Sequence, residues 1–336
     1  MDLPVFICPV CSSPLSRAGR SYSCAGKHSY DISKEGYVNL LLANQKQSRE
    51  PGDSKEMLDA RRSFLNKGYY KPLARSAASI IIRHKRRSQL APFLKKLSYC
   101  QRRDFTSAPG YSGTLTGSAQ NRLNARNIPV TGPVPADEAP GIISKIPDFI
   151  ILDAGCGEGY YTDYISRNRA INDSSAIYGI DISKEGIKSA SKRNSSINFA
   201  VAGIYNLPVL DNSVDAILNI FAPFNEDEFG RVLKDKGIII SVAPGARHLY
   251  EFKKNLYDDV YLNDEEFELS DKFYITETIR VKYELNIFNR EDIANLLKMT
   301  PYYHKSSHER IEHFLENTNE LKTTADFLIR IIIKNI

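Results

Sequence analysis

An apolar run that ends in three alternating glycines constrains this fold more than any other feature of the sequence. Residues 149–154 (FIILDA) carry a single charge near their end, and Gly155, Gly157 and Gly159 follow before a segment of helical spacing. Glycine lets a backbone turn sharply and lets a ligand approach without a Cβ in the way. The motif therefore predicts a buried strand, a ligand-binding turn and a helix.

Apolar runs and helical patterns alternate from residue 147 onward. Predicted strands are 149–154, 177–182, 198–202, 214–220 and 237–243, and predicted helices are 160–168, 184–192, 225–233 and 247–257. This alternation is typical of βαβ units in a parallel, doubly wound sheet. Two later strands, 280–288 and 327–334, flank a predicted helix at 290–298 and would add an antiparallel edge.

The glycine spacing indicates the class of cofactor. It is G-x-G-x-G preceded by Asp153, whereas dinucleotide-binding turns have G-x-G-x-x-G. Asp181 ends the next predicted strand, 22 residues after Gly159, where a carboxylate accepts both ribose hydroxyls. Asp153 would reach the ammonium of an amino-acid moiety. A cofactor with a ribose and a cationic amine but no pyrophosphate is S-adenosylmethionine; the alternatives are an NAD site or a turn that serves packing alone.

The other strand ends supply candidates for the rest of the site, because doubly wound sheets bind ligands at the carboxyl ends of their strands. Asn206 and Leu207 are expected beside the adenine. The candidate acceptor pocket consists of Asn219, Phe221 and Phe224. Its phenylalanines would stack on an extruded base, although aromatic residues in such a place more often belong to a core. His248, after the fifth strand, is either a cofactor contact or a surface residue.

Three cysteines and a histidine near the N-terminus form a metal-binding pattern. Cys8, Cys11, Cys24 and His28 have the spacing C-x2-C-x12-C-x3-H. Three thiolates and one imidazole complete the closed tetrahedral shell of a structural Zn²⁺ site. The alternative is a coincidence of buried or reactive side chains. Cys100 and Cys156 lie outside the pattern and are interpreted as ordinary thiols.

Charge is divided unevenly along the chain. Residues 1–136 contain 22 Lys+Arg and 8 Asp+Glu, a balance of +14, whereas residues 137–336 contain 23 and 32, a balance of −9. A basic half of this kind usually meets an anionic partner, nucleic acid being the first candidate. No run approaches the 18 or so apolar residues of a membrane span, and no basic region precedes an apolar core at the N-terminus. We expect a cytoplasmic protein without membrane contact.

Four segments are predicted along the chain. Residues 1–45 form the zinc module, and residues 46–82 form a helical connector with one helix capped by Ser54 and a second helix from Leu73 to about Arg83. Residues 83–146 are predicted to be a basic, largely disordered insertion or linker, with a dedicated RNA-binding arm as the alternative. The α/β domain occupies 147–336.

Six sequence blocks accompany the zinc pattern. They are 31–41 (DISKEGYVNLL), 48–54 (SREPGDS), 60–65 (ARRSFL), 155–162 (GCGEGYYT), 244–249 (PGARHL) and 297–301 (LKMTP). In this combination the chain closely resembles the RlmA-type family of 23S rRNA guanine-N1 methyltransferases. The resemblance covers nearly everything outside 83–146, where the family has one helix and a short loop.

The resemblance implies a fold, an activity and a set of site residues. The fold is a class I S-adenosylmethionine-dependent methyltransferase, a Rossmann-like doubly wound sheet with an antiparallel last strand, preceded by a zinc ribbon that recognises RNA. The substrate is a guanine in a 23S rRNA hairpin loop near the peptide exit tunnel, and a homodimer is the implied assembly. One branch of the family is linked to macrolide resistance. Besides the four zinc ligands, the implied S-adenosylmethionine contacts are Tyr70, Gly157, Glu158 and His248.

The sequence identifies no catalytic base. Guanine N1 carries a proton at neutral pH, so the reaction needs a base or a site that stabilises the deprotonated ring. Conceivable groups are His248, Glu35, Glu50 and Asp53. Two other functions stay open at this point: methylation of a small molecule, and RNA binding by a zinc ribbon whose methyltransferase domain is silent.

Overall fold

The computed structural model describes residues 5–45, 52–103 and 147–335. The chain divides into two units, one of Asp2–Lys85 and Ile146–Ile336 and the other of Met1 and Arg86–Lys145. Most of the predicted linker, from residue 104 to residue 146, lies outside the described residues. No helix within the described ranges is both long and apolar enough to cross a membrane.

Strands and helices alternate through the C-terminal part of the chain, as predicted. The strands are β1 (Ser16–Ala18), β2 (Ser21–Ser23), β3 (Ser29–Asp31), β4 (Val38–Asn39), β5 (Phe149–Ala154), β6 (Ser175–Asp181), β7 (Asn198–Val201), β8 (Val214–Ile220), β9 (Leu233–Pro244), β10 (Phe273–Ile287) and β11 (Leu321–Lys334). The helices are α1 (Lys55–Asn66), α2 (Lys71–Arg103), α3 (Tyr160–Ser166), α4 (Arg169–Asn172), α5 (Lys184–Arg193), α6 (Glu226–Val232), α7 (Tyr250–Lys253), α8 (Arg290–Lys298), α9 (Tyr302–Lys305) and α10 (His308–Asn317), with a 3₁₀ turn at Ala43–Gln45.

One large sheet organises the α/β domain. Within the described residues its strand order is β10-β11-β9-β8-β5-β6-β7-β4. The pairs β5–β6, β5–β8, β6–β7 and β8–β9 are parallel, and β11 is antiparallel to both of its neighbours. The central strand β5 is buried along its whole length, because helices cover both faces of such a sheet. The predicted Rossmann-like sheet with an antiparallel last strand is confirmed.

The N-terminal module is joined to this sheet by backbone hydrogen bonds. Its short strand β4 pairs in parallel with β7, and the Leu40 N–H continues the pairing to the Val201 carbonyl at 2.9 Å. On the other side of the module, Phe6 packs edge-on against Tyr178, with ring centroids 5.2 Å apart. Residues 5–45 and the sheet therefore share one hydrophobic core.

The connector helices follow the predicted pattern at their start and depart from it at their end. The Ser54 side chain accepts the Met57 N–H at 3.2 Å, which confirms it as the cap of α1. Helix α2 was predicted to end near Arg83, and this prediction was wrong, because the helix continues to Arg103. Pro92 and the many basic residues of this stretch predict a break in the helix, although lysine, arginine, leucine and glutamine are strong helix formers.

The structure also differs from prediction after β9. The predicted helix at 247–257 is reduced to α7, because Leu249 has a left-handed φ of 54° that interrupts regular helix at its start. Strands β10 and β11 begin earlier than predicted and pair over most of their length. Helices α9 and α10 lie between α8 and β11 and were not predicted.

A buried lysine connects α2 to the α/β domain through hydrogen bonds. The Lys85 ammonium is almost fully buried and donates to the carbonyls of Ile171 and Asp173 and to Ser175 Oγ, the first and last at 2.8 Å. Burial lowers the pKa of Lys85. The acceptors lie at the end of α4 and the start of β6, so one side chain connects three elements.

We expect Lys85→Met to lower the free energy of unfolding by about 1–3 kcal/mol, because it leaves buried carbonyl groups without a donor. Urea denaturation monitored by circular dichroism measures the change. Lys192→Met removes an exposed lysine from α5 and should stay within about 0.5 kcal/mol of the unsubstituted chain. Equal effects of the two substitutions would contradict a structural role for Lys85.

Candidate active site and metal centre

The predicted zinc ligands come together at one point of the N-terminal module. The ligand atoms of Cys8, Cys11, Cys24 and His28 all lie within 4.8 Å of one another. His28 Nδ1 is 3.5 Å from Cys8 Sγ and 3.4 Å from Cys24 Sγ, and the Cys11 and Cys24 sulfurs are 3.6 Å apart. A tetrahedron with Zn–S bonds of about 2.3 Å has edges near 3.8 Å, so these residues fit a closed structural Zn²⁺ site.

A tyrosine hydroxyl supports this cluster. Tyr30 Oη lies 3.0 Å from Cys8 Sγ, and burial raises the pKa of Tyr30, so the protonated phenol can donate a hydrogen bond to a zinc-bound Cys8 thiolate. Hydrogen bonds of this kind orient metal ligands and reduce the charge on a thiolate. The Cys8 side chain is fully buried, which leaves it no alternative partner in solvent.

The glycine turn after β5 has the left-handed backbone that its sequence predicts. Gly155, Gly157 and Gly159 have φ angles of 87°, 55° and 80°. A Cβ at Gly159 would lie 2.8 Å from the Ala190 Cβ, so the turn also packs closely against α5. Only glycine adopts this backbone and this approach without strain.

Two carboxyl groups face the turn from the two adjoining strands. Asp181 accepts the Gly157 N–H at 2.8 Å and the Ser183 N–H at 2.7 Å, one on each oxygen. Each oxygen keeps a second lone pair, which suits the two hydroxyls of a ribose. Asp153 is buried and accepts the Thr162 hydroxyl at 2.6 Å, and burial raises its pKa to about 7. A buried carboxyl of this kind gains most from a cationic partner.

Two further buried polar atoms belong to Glu158, within the turn, and to Tyr161, in helix α3. Within the described residues, Glu158 Oε1 and the Tyr161 hydroxyl have no hydrogen-bond partner. The other Glu158 oxygen is ion-paired with Arg193. Buried polar atoms normally find partners, so these two indicate a place where a polar ligand is bound. Glu158, Asp153 and Asp181 together fit S-adenosylmethionine.

The implied cofactor contacts Tyr70 and His248 form a buried pair. The Tyr70 oxygen lies 3.4 Å from His248 Nε2, and His248 Nδ1 accepts the Asp326 N–H at 3.3 Å. Burial lowers the pKa of His248 to about 3, so the ring is neutral and its proton must sit on Nε2. Both ring nitrogens are therefore engaged. His248 is neither a surface residue nor a base with a free lone pair.

The candidate acceptor pocket follows β8. Asn219 is buried and donates to the Pro223 carbonyl at 2.9 Å, which holds the loop in a tight turn. Phe221 has a left-handed φ of 54°, an uncommon backbone for a bulky residue, and 44% of its surface is exposed. Phe224 instead packs edge-on against Phe229 and Phe267, with centroids 5.1 and 5.2 Å apart. The structure thus presents Phe221 to solvent and places Phe224 in an aromatic cluster.

The two residues predicted beside the adenine lie in the loop after β7. Leu207 is buried and its N–H donates to a Glu228 carboxylate oxygen at 2.6 Å, whereas Asn206 is exposed. Both remain predicted contacts.

The segment before α1 reaches the site as well, although the sequence offered its Glu50 and Asp53 only as conceivable bases and did not predict the contacts of Asp53. The Ser183 hydroxyl donates to the Asp53 carbonyl at 3.4 Å, and the Asp53 carboxylate is ion-paired with Arg61 of α1. Asp53 and Arg61 belong to the sequence blocks 48–54 and 60–65 of the family resemblance, but nothing in the composition of these blocks indicates where in the fold they lie. Glu50, one of the conceivable bases, lies outside the described residues.

Comparisons with known proteins agree with both parts of this arrangement. Residues 6–49 match the family model described as "RlmA, N-terminal", and residues 151–237 match one described as "Methyltransferase domain". A Bacillus subtilis protein named "Putative 23S rRNA (guanine-N(1)-)-methyltransferase" is 27% identical over 98% of each chain.

Two actinomycete proteins are similar over a smaller share. A Micromonospora griseorubida protein with the same general name is 29% identical, over 76% of this chain and 70% of the relative. A Streptomyces fradiae protein named "23S rRNA (guanine(748)-N(1))-methyltransferase" is 24% identical, over 73% of this chain and 65% of the relative.

Replacing Cys24 should remove the metal. We expect Cys24→Ser to reduce bound zinc from about one ion per chain to a small fraction, since a hydroxyl is a poor zinc ligand, and to lower Tm because metal binding supplies much of the folding free energy of so small a module. Elemental analysis and thermal denaturation measure the two effects. Cys156→Ser is the matched control, and loss of zinc in that variant would contradict the ligand assignment.

Cofactor binding should depend on pH through Asp153. With a pKa of about 7 in the free protein, the carboxyl is mostly protonated at pH 6.0 and mostly ionised at pH 7.5. Only the ionised form pairs with an ammonium group, so we expect S-adenosylmethionine to bind roughly five- to tenfold more tightly at pH 7.5. Calorimetry at the two pH values measures this ratio. Asp153→Asn should bind weakly at both; a full pH dependence in that variant would assign it to another group.

Proposed function

The chain belongs to the RlmA-type family of S-adenosylmethionine-dependent methyltransferases, and on that premise we propose that it methylates N1 of a guanine in a hairpin loop of 23S rRNA near the peptide exit tunnel. The observation that supports this best is the attachment of the zinc ribbon to the sheet that carries the cofactor turn. Strand β4 of the ribbon pairs with β7, two strands away from β5. An RNA held by the ribbon would meet the cofactor cleft at a fixed distance.

The ribbon carries the charge that RNA binding needs. Arg17, Arg20, Lys27 and Lys34 are all exposed. Lysine and arginine at such positions bind phosphates without reading sequence, so they would hold a hairpin and leave the choice of base to the pocket. A 23S rRNA substrate would be met in the cytoplasm, which is the location we propose for the protein. A homodimer and a link to macrolide resistance stay predictions drawn from the family resemblance.

Alignment of the two reactants is the main task of these residues. Bound S-adenosylmethionine supplies a methyl group on a sulfonium centre. Asp181 would hold the ribose and Asp153 the ammonium, which fixes the direction in which the methyl group points. Phe221, exposed at the end of β8, would stack on the guanine after it leaves its loop. A looped base is already unpaired, so its extrusion costs little.

The structure argues against two of the residues considered as the base that removes the guanine N1 proton. His248 has no free lone pair, because Nδ1 accepts the Asp326 N–H and Nε2 carries the proton. The Asp53 carboxylate is already engaged in an ion pair with Arg61. We propose that the N1 proton is lost to water and that hydrogen-bond donors of the pocket stabilise the deprotonated ring. The Tyr161 hydroxyl, which has no partner among the described residues, is the first candidate to donate to guanine O6.

Purified chain should transfer labelled methyl groups from S-adenosylmethionine to unmodified 23S rRNA, and mass spectrometry should place the label at N1 of a loop guanine. Ribonuclease treatment of the acceptor should abolish incorporation. Incorporation that survives ribonuclease would favour a small-molecule methyltransferase. Cofactor binding without any incorporation would contradict methylation of 23S rRNA, and absence of both would favour a silent methyltransferase domain.

Phe221→Ala should lower kcat/KM for RNA about tenfold or more, because stacking of a base on an aromatic ring contributes about 1–3 kcal/mol. Its dissociation constant for S-adenosylmethionine should change less than twofold. Phe288→Ala is the matched control, since Phe288 is also exposed, at 72%, and lies outside the proposed pocket residues. Equal kinetics for the two variants would remove Phe221 from the acceptor site.

A further inference from the structure

Arg61 lies on a helix outside the doubly wound sheet, yet its guanidinium contacts the cofactor turn. A Cβ placed on Gly157 would lie 3.6 Å from Arg61 Nη1. The same guanidinium is ion-paired with Asp53, and Nη2 donates to the Met299 carbonyl at 3.5 Å. The Arg61 side chain is 28% exposed, so part of its charge is accessible to a ligand.

The charge around the turn is predominantly negative. Asp153, Glu158 and Asp181 are buried or nearly so at the ends of β5 and β6. The guanidinium of Arg193 is already committed there, to the Glu158 carboxylate, the Glu158 carbonyl and Asn66 Oδ1. Burial raises the pKa of both Asp181 and Glu158, and Arg61 opposes the rise in each, which is consistent with its place beside them.

S-adenosylmethionine brings both charges of an amino acid into this environment. Its ammonium suits the carboxyl groups, but its carboxylate would be repelled by them unless a cation lay close by. A guanidinium is planar and presents paired N–H donors that match the two oxygens of a carboxylate. Arg61 has five N–H donors, and the two acceptors described above, the Asp53 carboxylate and the Met299 carbonyl, leave some of them available.

We propose that Arg61 binds the carboxylate of S-adenosylmethionine, so that helix α1, between the zinc ribbon and the methyltransferase domain, supplies a wall of the cofactor site. The proposal rests on the cofactor of the proposed function and is independent of the acceptor.

Asp53 prepares Arg61 for this role. Its carboxylate holds the guanidinium next to the turn, and its own backbone is fixed because its carbonyl accepts the Ser183 hydroxyl. Gly52, with a φ of 91°, lets the chain pass so close to Ser183 that a Cβ would come within 2.9 Å of the Ser183 Cβ. The cofactor carboxylate therefore meets a guanidinium that has already lost most of its side-chain freedom.

The test compares S-adenosylmethionine with its decarboxylated analogue, which keeps the adenosine, the sulfonium and the ammonium but lacks the carboxylate. Calorimetry gives both dissociation constants for the full chain and for Arg61→Ala, Arg61→Lys and Arg62→Ala. We expect Arg61→Ala to weaken S-adenosylmethionine about 30-fold and the analogue less than threefold, because a hydrogen-bonded charge pair is lost in one case only. Arg61→Lys should recover part of the loss.

Arg62→Ala is the matched control, since Arg62 is exposed and pairs with Asp59 at 2.6 Å. It should change neither constant more than twofold. If Arg61→Ala weakened the binding of S-adenosylmethionine and of the analogue equally, Arg61 would have a purely structural role and the proposal would be overturned. It would also be overturned if the binding of neither ligand were weakened. The ratio of the two constants within one protein is insensitive to a partial loss of folding. If the protein did not methylate rRNA, the ratio of the two dissociation constants would be unchanged. The proposal for Arg61 and the proposed rRNA activity can therefore fail separately.

Discussion

The two hydrogen bonds that Asp181 accepts from backbone N–H groups hold the cofactor cleft together. One comes from Gly157 after β5 and the other from Ser183 after β6, so a single buried carboxylate fixes the distance between two strand ends. Without those donors the buried charge would be too costly to keep. Ser183 in turn holds the Asp53 carbonyl, and Asp53 holds Arg61. Three distant parts of the sequence are thereby placed around one small volume.

What could be predicted from the sequence was carried by short, local signals. The zinc ligands and the glycine turn depend on residues a few positions apart, whose chemistry allows few other arrangements. The Ser54 cap is local for the same reason, since its oxygen reaches an N–H three residues away. The parallel arrangement of the central strands also followed, because strands that alternate with helices form βαβ units.

The features that were missed depend on contacts between distant residues. The local sequence predicts a strand near residues 37–42, but β4 pairs with residues 200–201, more than 160 positions later, and no local pattern reveals that partner. Arg61 looked like any basic residue on a polar helix face until the fold placed it beside Gly157. The extension of α2 to Arg103 was missed for a different reason, because Pro92 and the many basic residues of this stretch predict a break in the helix that does not occur.

Strand β4 has a consequence for the solubility of the protein. Strand β7 would otherwise be the last strand on its side of the sheet, with open N–H and C=O groups that invite pairing with another molecule. The Val38–Asn39 pairing and the Leu40 N–H occupy that side of β7, and the chain that supplies them leaves directly from the zinc-bound module. A zinc ion that holds the module folded would also hold this short strand against β7, and would so protect part of the sheet edge from pairing with neighbouring copies.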